Sequence, residues 1–436
     1  MDKCVTEPKD MANKLSIRAK IALYFYRGLY ALCMIPAFCI APILGKFSRR
    51  VKEGFNDYFG NVKSPSNFKK PVLWVHGVSM GESMVALGFA KELRKTYPES
   101  TILFTTTHPD VIKDVKKKEL ADAIAYFPLD NYRAMNKIFN RWQPNAIFVA
   151  ETDFWPEFSQ QCRQRDIPLM LINGRISSKI SSFYSKAKGM AEIVFGSYSY
   201  FALQSREDAD RLLELGVPLD KIQILGNMKA DFTHTNQVNL SEVSSWLNNR
   251  KSVVFGSLHP EEFDMLLPLF KKLVDNNIAV IIAPRNISLA QEWKDQLHKD
   301  NIKVCCKTQI EDSDILILDT IGELASVYKL SSVSFVGGSL DHNKTGGHNP
   351  LEVLQQKVPL LMGSYYRNFT DIVEQLKSVG GISIIENADQ AFEEIIKILT
   401  NESITNKMVN AGNEVLESNQ GVVVKTLEIA KKLINN

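Results

Sequence analysis

Residues 71–97, PVLWVHGVSMGESMVALGFAKELRKTY, contain a β-rich apolar run, a turn with two glycines and an amphipathic run, in that order. A short apolar run without charge is typical of a strand buried on both faces of a sheet. Apolar residues at helical spacing after it indicate a helix that covers the sheet. Strand, turn and helix in this order form the repeating unit of a parallel sheet, so the stretch predicts an α/β domain.

The same order of elements recurs along the chain. Further strand-like runs begin at Thr101, Ala146, Ile167 and Tyr200 and, after a polar stretch near residues 227–250, at Ser252, Ile278, Ile315, Val333 and Val358. This alternation predicts two Rossmann-like, doubly wound domains that face a cleft, with ligands beyond the carboxyl ends of the strands. We assign residues 53–235 to the first domain and 236–436 to the second, and the last helix is compatible with a return to the first.

Composition excludes several classes of protein. Hydrophobic residues make up 45% of the 436 residues and charged residues 23%, as in a globular protein and unlike a disordered one. The net charge of +3 is too small to indicate a nucleic-acid partner. The six cysteines show no spacing typical of zinc sites or disulfide frameworks, so we expect reduced thiols, an intracellular protein and no metal site.

One apolar segment precedes the first domain. Residues 21–45, IALYFYRGLYALCMIPAFCIAPILG, carry Arg27 as their only charge and approach the length of about 20 residues that crosses a bilayer. Two prolines within the segment and four basic residues after it argue against a cleaved signal peptide. We therefore assign residues 1–52 to an N-terminal membrane anchor region, either a single signal-anchor or a helix in the interface, with a buried core helix as the alternative.

Charged side chains collect at the predicted ends of the strands. Glu82 and Glu151 follow strands of the first half, and Lys229 lies near the turn between the halves. Arg285 and Glu323 follow strands of the second half. Taken singly, each has a simpler explanation, since an acid such as Glu82 suits the first turn of a helix. Because the pattern recurs in both halves, we expect one site shared by the two sheets.

The stretch GGHNPLEVL, residues 346–354, predicts a well-capped helix start. Asn349 is a good N-cap, Pro350 suits the first helical position, and Glu352 stands where a capping-box acid reaches back. A glycine turn that leads into a helix also presents unpaired N–H groups, which favour a phosphate or a carboxylate. The stretch alone leaves a structural cap and a ligand site both open.

The candidate residues divide into two chemical groups. The first half offers carboxylates that can act as a base on a hydroxyl, and the second half offers glycine turns and a cation suited to a nucleotide phosphate. The chain contains no Walker A sequence and no dinucleotide fingerprint. Ser79 within GVSMG is similar to a nucleophile elbow, so a serine hydrolase stays an alternative at this point.

A set of motifs, taken together, resembles a known family. In chain order they are WVHGVSMGE, ETDFWPEF, LINGRIS, GNMKAD, GSLHPEE, APRN, DTIGEL, FVGGSL and GGHNPLE. The set is similar to the 3-deoxy-D-manno-octulosonic acid (Kdo) transferases of Gram-negative bacteria, from about residue 20 to the C-terminus. The resemblance implies a GT-B glycosyltransferase with an N-terminal membrane anchor helix.

The resemblance also implies roles for individual residues. Glu82 matches the general base of the family, and Glu151 and Lys229 match residues assigned to transition-state stabilisation. The CMP-binding segments match Pro284, Arg285, Ile321, Gly322, Glu323, Asn349, Pro350, Leu351 and Glu352. The implied donor substrate is CMP-Kdo, and no cofactor or metal is expected.

The implied reaction is inverting transfer of Kdo from CMP-Kdo to a lipid A precursor (lipid IVA) in lipopolysaccharide core biosynthesis. The expected place is the inner membrane, with the catalytic domains on its cytoplasmic side and no nucleic-acid partner. Two alternatives stay open. The chain could be another GT-B nucleotide-sugar enzyme, such as an epimerase, or a non-catalytic membrane-tethered binding protein.

Overall fold

The computed structural model describes residues 15–47, 49–65, 68–118, 121–232, 238–341 and 346–435. The chain divides into two compact units, Met1–Asp231 with Gly421–Asn436, and Phe232–Gln420. The predicted division between residues 235 and 236 lies outside the described residues.

The first unit contains a seven-stranded parallel sheet. Its strands are β1 (Val72–His76), β2 (Thr101–Thr106), β3 (Ala123–Tyr126), β4 (Ala146–Ala150), β5 (Leu169–Gly174), β6 (Tyr200–Leu203) and β7 (Ile222–Ile224). Its helices up to the boundary are α1 (Ile17–Phe47), α2 (Arg49–Tyr58), α3 (Met80–Thr96), α4 (Pro109–Lys118), α5 (Tyr132–Trp142), α6 (Pro156–Gln164), α7 (Ser178–Lys186), α8 (Lys188–Val194) and α9 (Arg206–Glu214).

The order of strands in this sheet is β3-β2-β1-β4-β5-β6-β7, and every pair is parallel. All residues of the central strands β1 and β4 are buried, as their predominantly apolar sequences predict. The chain order reverses between β1 and β4, and ligands of doubly wound sheets bind at such a switch point.

The second unit repeats the architecture. Its strands are β8 (Ser252–Leu258), β9 (Ala279–Pro284), β10 (Val304–Cys306), β11 (Ile315–Ile317), β12 (Val333–Val336), β13 (Leu360–Gly363) and β14 (Ser383–Ile385). Its helices are α10 (Ser241–Leu247), α11 (Pro260–Asp275), α12 (Ala290–Lys299), α13 (Leu324–Val327), α14 (Leu351–Leu354), α15 (Thr370–Val379), α16 (Ala388–Thr400) and α17 (Glu402–Ser418).

The second sheet has the order β10-β11-β9-β8-β12-β13-β14 and is also parallel throughout. Its switch point lies between β8 and β12. The prediction of two Rossmann-like α/β domains is therefore confirmed.

The last helix, α18 (Val422–Asn435), belongs to the first unit. Asp231 accepts hydrogen bonds from the backbone N–H groups of Gly421 and Val423, both at 2.6 Å. A carboxylate at a helix N-terminus satisfies donors that have no partner inside the helix. Asp231 therefore fixes the start of the returning helix on the unit in which it lies.

Apolar contacts and buried charges hold α1 to the first unit. Leu15, Ala19 and Leu23 pack against Ile193 of α8. Arg27 donates from Nε and Nη2 to the two carboxylate oxygens of Glu157, at 2.7 and 2.9 Å, and the Glu157 side chain is fully buried. Such bidentate pairing compensates the cost of burying a carboxylate.

A second buried acid lies beside this pair. The Asp130 carboxylate accepts hydrogen bonds from Tyr26 Oη at 2.8 Å and from the backbone N–H groups of Glu157 and Phe158. Burial raises the pKa of Asp130 to about 7. Two adjacent residues of α1, Tyr26 and Arg27, therefore reach two buried acids, Asp130 before α5 and Glu157 in the first turn of α6.

The prediction of a membrane-spanning anchor helix is not supported. Among the helices in the described part of the chain, none combines the length and the apolar character that crossing a bilayer requires. The one charge of the predicted segment, Arg27, is paired with an acid of the folded unit. The other side of α1, between residues 17 and 33, exposes the apolar residues Ile17, Ile21, Tyr24, Phe25, Leu29 and Leu32.

We expect Arg27→Met to lower the free energy of unfolding by about 3 kcal/mol, because it leaves the carboxylate of Glu157 buried without a cation. Denaturant unfolding of the full chain measures this change. The matched control is Lys20→Met on the same helix, since Lys20 is exposed and its replacement should change stability little. Equal stability of the two variants would contradict the role given to the pair.

Candidate active site

Glu82 lies at the carboxyl end of β1, in the first turn of α3. Its backbone N–H donates to Ser79 Oγ at 3.3 Å, and its Oε2 accepts from the backbone N–H of Ser79 at 2.7 Å. This capping box fixes the side chain. The turn needs a glycine at position 77, because a Cβ there would lie 2.9 Å from the backbone of Glu82. Glu82 is thus both a helix cap and a half-buried, oriented carboxylate.

The other carboxylate oxygen of Glu82 contacts the loop that follows β4. Thr152 Oγ1 donates to Glu82 Oε1 at 3.0 Å. This bond joins the two loops on either side of the switch point between β1 and β4. An ionised carboxylate has about four lone-pair sites, so Glu82 can still accept a proton from a further hydroxyl.

Glu151 and Lys229 form an ion pair. Lys229 Nζ lies 2.9 Å from Glu151 Oε1, and the two side chains are 25% and 13% exposed. Asn173 Nδ2 donates to the same oxygen at 3.2 Å. Glu151 directly precedes Thr152, the residue whose hydroxyl contacts Glu82. The loop after β4 therefore carries both the partner of Glu82 and one member of the Glu151–Lys229 ion pair.

The backbone around this pair is strained. Glu151 and Asn173 have φ values of +62° and +51°, in the left-handed region that residues other than glycine rarely adopt. Asn173 Oδ1 accepts from the backbone N–H of Met228 at 2.8 Å, which positions the 3₁₀ turn that carries Lys229. Strain of this kind is typical of functional sites, where the surrounding structure compensates its cost.

A buried histidine supports the same loop. His76 Nε2 lies 2.7 Å from Asp153 Oδ2, and its Nδ1 contacts the carbonyl oxygen and Oγ1 of Thr105 at 2.9 and 2.8 Å. Trp155 Nε1 donates to the same carboxylate oxygen of Asp153 at 2.5 Å. His76 therefore has a partner on each ring nitrogen and is a core histidine that holds the loop of residues 151–155.

The predicted CMP-binding residues lie at strand ends of the second unit. Pro284 is the last residue of β9 and is buried. Arg285 follows it with an exposed side chain, and its backbone N–H donates to Leu258 O at 2.8 Å. Ile321 is 82% exposed, and Gly322 has a φ of +86°. Glu323 accepts from Lys307 Nζ at 3.1 Å and from Thr320 Oγ1.

The segment of residues 349–352 forms a compact turn. Asn349 Oδ1 accepts from the backbone N–H of Leu351 at 3.2 Å, and Asn349 Nδ2 donates to Glu352 Oε1 at 3.3 Å. The helix that follows, α14, contains only four residues, as does α13 after Gly322. Because a macrodipole needs several aligned peptide units, a phosphate at these turns would be held mainly by individual N–H groups.

A buried glutamate organises the glycine loop beyond β12. Glu262 is fully buried and accepts from the backbone N–H groups of Gly338, Ser339 and Leu340 at 2.7 to 2.9 Å, and from that of His259 at 3.1 Å. Four such bonds stabilise a buried carboxylate. Glu262 thus joins the two loops on either side of the second switch point.

Two histidines meet at this loop. His259 Nε2 and His348 Nε2 are 2.9 Å apart. Burial, then Arg285 and His259, lower the pKa of His348 to about 3. His348 is therefore neutral at physiological pH.

Sequence reasoning did not assign roles to Thr152, Asn173 or His259. Each contact joins residues far apart in the chain, for example Thr152 with Glu82 and His259 with His348. The signal that could have found them is their position, since all three lie at the ends of predicted strands. Over the residues that the structure describes, no group of three or more His, Cys, Asp or Glu residues is arranged to hold a metal.

A family model described as 3-Deoxy-D-manno-octulosonic-acid transferase (kdotransferase) matches residues 50–232. The 3-deoxy-D-manno-octulosonic acid transferase of Haemophilus influenzae is 29% identical, over 94% of this chain and 98% of the relative. The enzyme of the same name from Rickettsia felis is 30% identical, over 85% of this chain and 81% of the relative.

Among solved structures, a glycosyltransferase from Rickettsia africae superposes with a TM-score of 0.59. It is 12% identical and covers 85% of this chain and 100% of its own. At this identity the likeness concerns the fold alone.

Proposed function

This chain belongs to the 3-deoxy-D-manno-octulosonic acid transferase family and is a glycosyltransferase, and we propose that it transfers Kdo from CMP-Kdo to a lipid A precursor. The observation that carries the proposal is the oriented Glu82 carboxylate at the switch point of the first sheet. The expectation that no cofactor or metal takes part stays a prediction.

We assign the general base to Glu82. It removes the proton of an acceptor hydroxyl, whose oxygen forms a bond to the anomeric carbon of Kdo. The bond from that carbon to the phosphate breaks, and its electron pair stays on the phosphate oxygen of CMP. A single displacement of this kind inverts the anomeric configuration. Transfer by this route requires the donor held by the second unit to reach Glu82 of the first.

Lys229 is the proposed electrostatic stabiliser of the transition state. The Glu151 carboxylate, which also accepts a hydrogen bond from Asn173 Nδ2, holds the ammonium group of Lys229. A preorganised cation stabilises developing negative charge without having to reorient during the reaction. Glu151 acts mainly by fixing Lys229, so the two residues are expected to work as a unit.

The proposed donor site uses the strand ends of the second unit. Arg285 supplies an exposed cation, and Glu352, which is bonded to Asn349, supplies an acceptor for the ribose hydroxyls. Gly322 and Gly347, with φ values of +86° and +82°, form turns that allow the backbone to approach a phosphate closely. These features support binding of a nucleotide, and the choice of CMP comes from the family.

We further propose that the chain works at the cytoplasmic face of the inner membrane, where a lipid acceptor is embedded. The exposed apolar side of α1 supports this place of action, together with the exposed basic residues Arg18 and Lys20 on the same helix. A helix with an apolar side and basic neighbours binds in the interface of a membrane with anionic lipids.

The test is incubation of the full chain with CMP-Kdo and a tetraacylated lipid A precursor in lipid vesicles, followed by mass spectrometry of the lipids. We expect masses increased by whole Kdo units. A parallel incubation with UDP-N-acetylglucosamine tests for an epimerase. Epimerised sugar in that reaction, or lipid of unchanged mass with CMP-Kdo, would contradict the proposal.

A further inference from the structure

His259 and His348 form a hydrogen-bonded pair at the switch point of the second sheet. His259 follows β8 and is the N-cap residue of α11, and His348 directly precedes the predicted CMP-binding residue Asn349. Their Nε2 atoms are 2.9 Å apart, and the two ring planes lie within 3° of each other. A hydrogen bond between two imidazole nitrogens needs a proton on one and a lone pair on the other. The contact therefore holds one proton between the two rings.

The charges around the pair limit it to a single positive charge. Arg285 and His259 both oppose protonation of His348, as does burial. On α11, the Glu262 carboxylate is directed to four backbone N–H groups. On the other side, Glu352 bonds Asn349, and Arg367 packs against Gly346. Two protonated rings at this distance, beside Arg285, would repel each other, so the pair can hold at most one added proton.

We propose, on the premise of the function above, that the His259–His348 pair contacts the phosphate of the donor and takes up a proton when CMP or CMP-Kdo binds. An anion placed beside the pair favours its charged form, because opposite charges raise the pKa of an imidazole. The half-buried setting strengthens this effect, since the surroundings screen charge less than water does. Arg285 and the pair would then form a cationic contact that is complete only with nucleotide bound.

The added proton has a consequence for transfer. When the bond between the anomeric carbon and the phosphate breaks, the phosphate gains negative charge with the bonding electron pair. The proton stays on the imidazole, and the charged pair offsets the negative charge as it develops. The histidines therefore assist departure of CMP, while the acceptor proton goes to Glu82.

The experiment is isothermal titration of the full chain with CMP near pH 8, in buffers that differ in ionisation enthalpy. At this pH the phosphate of free CMP is already a dianion and adds few protons of its own to the balance. We expect a net uptake of a fraction of a proton per CMP bound, which increases when the titration is repeated at pH 7. Cytidine, which has no phosphate, should bind without proton uptake.

Variants identify the group that takes up the proton. We expect His259→Gln and His348→Gln each to abolish the uptake, because either change removes the shared proton site. The matched control is His298→Gln, since His298 is an exposed histidine of the same unit on α12 and its variant should behave as wild type. The wild-type comparison of CMP with cytidine needs no variant, so it tests the inference even if a variant does not fold.

The outcomes separate this inference from the proposed function. CMP binding without proton uptake, or uptake unchanged in both folded pair variants, would overturn the inference and leave the proposed function standing. Failure of the wild-type chain to bind CMP would count against both. Uptake with CMP but not with cytidine, lost in the pair variants, would support the inference.

Discussion

Replacing Glu82 with glutamine should slow Kdo transfer by about 10²- to 10⁴-fold, the usual contribution of a general base. Glutamine has the same shape, and its amide oxygen can still accept the hydrogen bond from the Ser79 backbone that completes the capping box. The amide cannot take the acceptor proton at neutral pH. The fold and the cap should therefore remain while the chemistry stops, and the initial rate of lipid-linked Kdo formation measures the loss.

The control for this variant lies on the same helix. Glu92 of α3 is paired with Lys95 three residues later and stands far along the helix from the capping box. Glu92→Gln should keep the wild-type rate, and both variants should bind CMP with wild-type affinity. If Glu82→Gln transfers Kdo at a rate within a few fold of wild type, Glu82 is not the general base.

Replacing Lys229 with methionine should lower kcat by about 10²- to 10³-fold, the size of effect seen when one stabilising donor of a transition state is removed. The change also leaves Glu151, at 13% exposure, without its cation, so we expect a loss of about 1–3 kcal/mol in stability. The rate is therefore measured at a temperature well below the unfolding midpoint of the variant.

Two further variants separate charge from structure at this position. Lys221→Met is the matched control, because Lys221 is a half-buried lysine of the same unit whose Nζ donates to the backbone oxygen of Tyr198 at 2.9 Å and not to Glu151. Lys229→Arg keeps the charge and should recover part of the lost rate. If Lys221→Met loses as much activity as Lys229→Met, the loss reflects stability and Lys229 has no role in the transition state.

Much of the fold is predictable from the sequence because each central strand is a short apolar run followed by a turn and a helix. The four strands that sequence reasoning missed, β3, β7, β10 and β14, are the edge strands of the two sheets. They contain three or four residues each, and β3, β7 and β14 are only partly buried. An edge strand is covered less completely, so its sequence carries a weaker apolar signal.

The apolar segment before the first domain shows a second limit of prediction from sequence, which concerns membrane helices. Composition alone does not separate a bilayer-spanning helix from one that packs against a protein. In the described part of α1, Tyr26, Arg27 and small residues such as Ala19 contact the rest of the first unit. The apolar residues of the helix divide between a buried and an exposed side. The partners that decide the outcome, Asp130 and Glu157, lie more than 100 positions away in the chain.

The sequence predicts where the candidate site residues lie along the chain, but not which side chains they contact. Glu82, Glu151 and Lys229 are recognisable because they follow strands and match family motifs. The hydrogen bonds of Glu82 with Thr152 and of Glu151 with Asn173 depend on how separate loops meet at the edge of the sheet. Likewise, GGHNPLE predicts a helix start, but the four-residue length of α14 becomes apparent only in the structure.

The most direct test of sugar transfer is to follow release of CMP and formation of lipid-linked Kdo together in one reaction of the wild-type chain. The mechanism assigned to Glu82 predicts that each CMP released corresponds to one Kdo joined to lipid, and that CMP release nearly stops when the acceptor is left out. CMP release at the same rate without acceptor would show hydrolysis of the donor and contradict direct displacement by an acceptor hydroxyl.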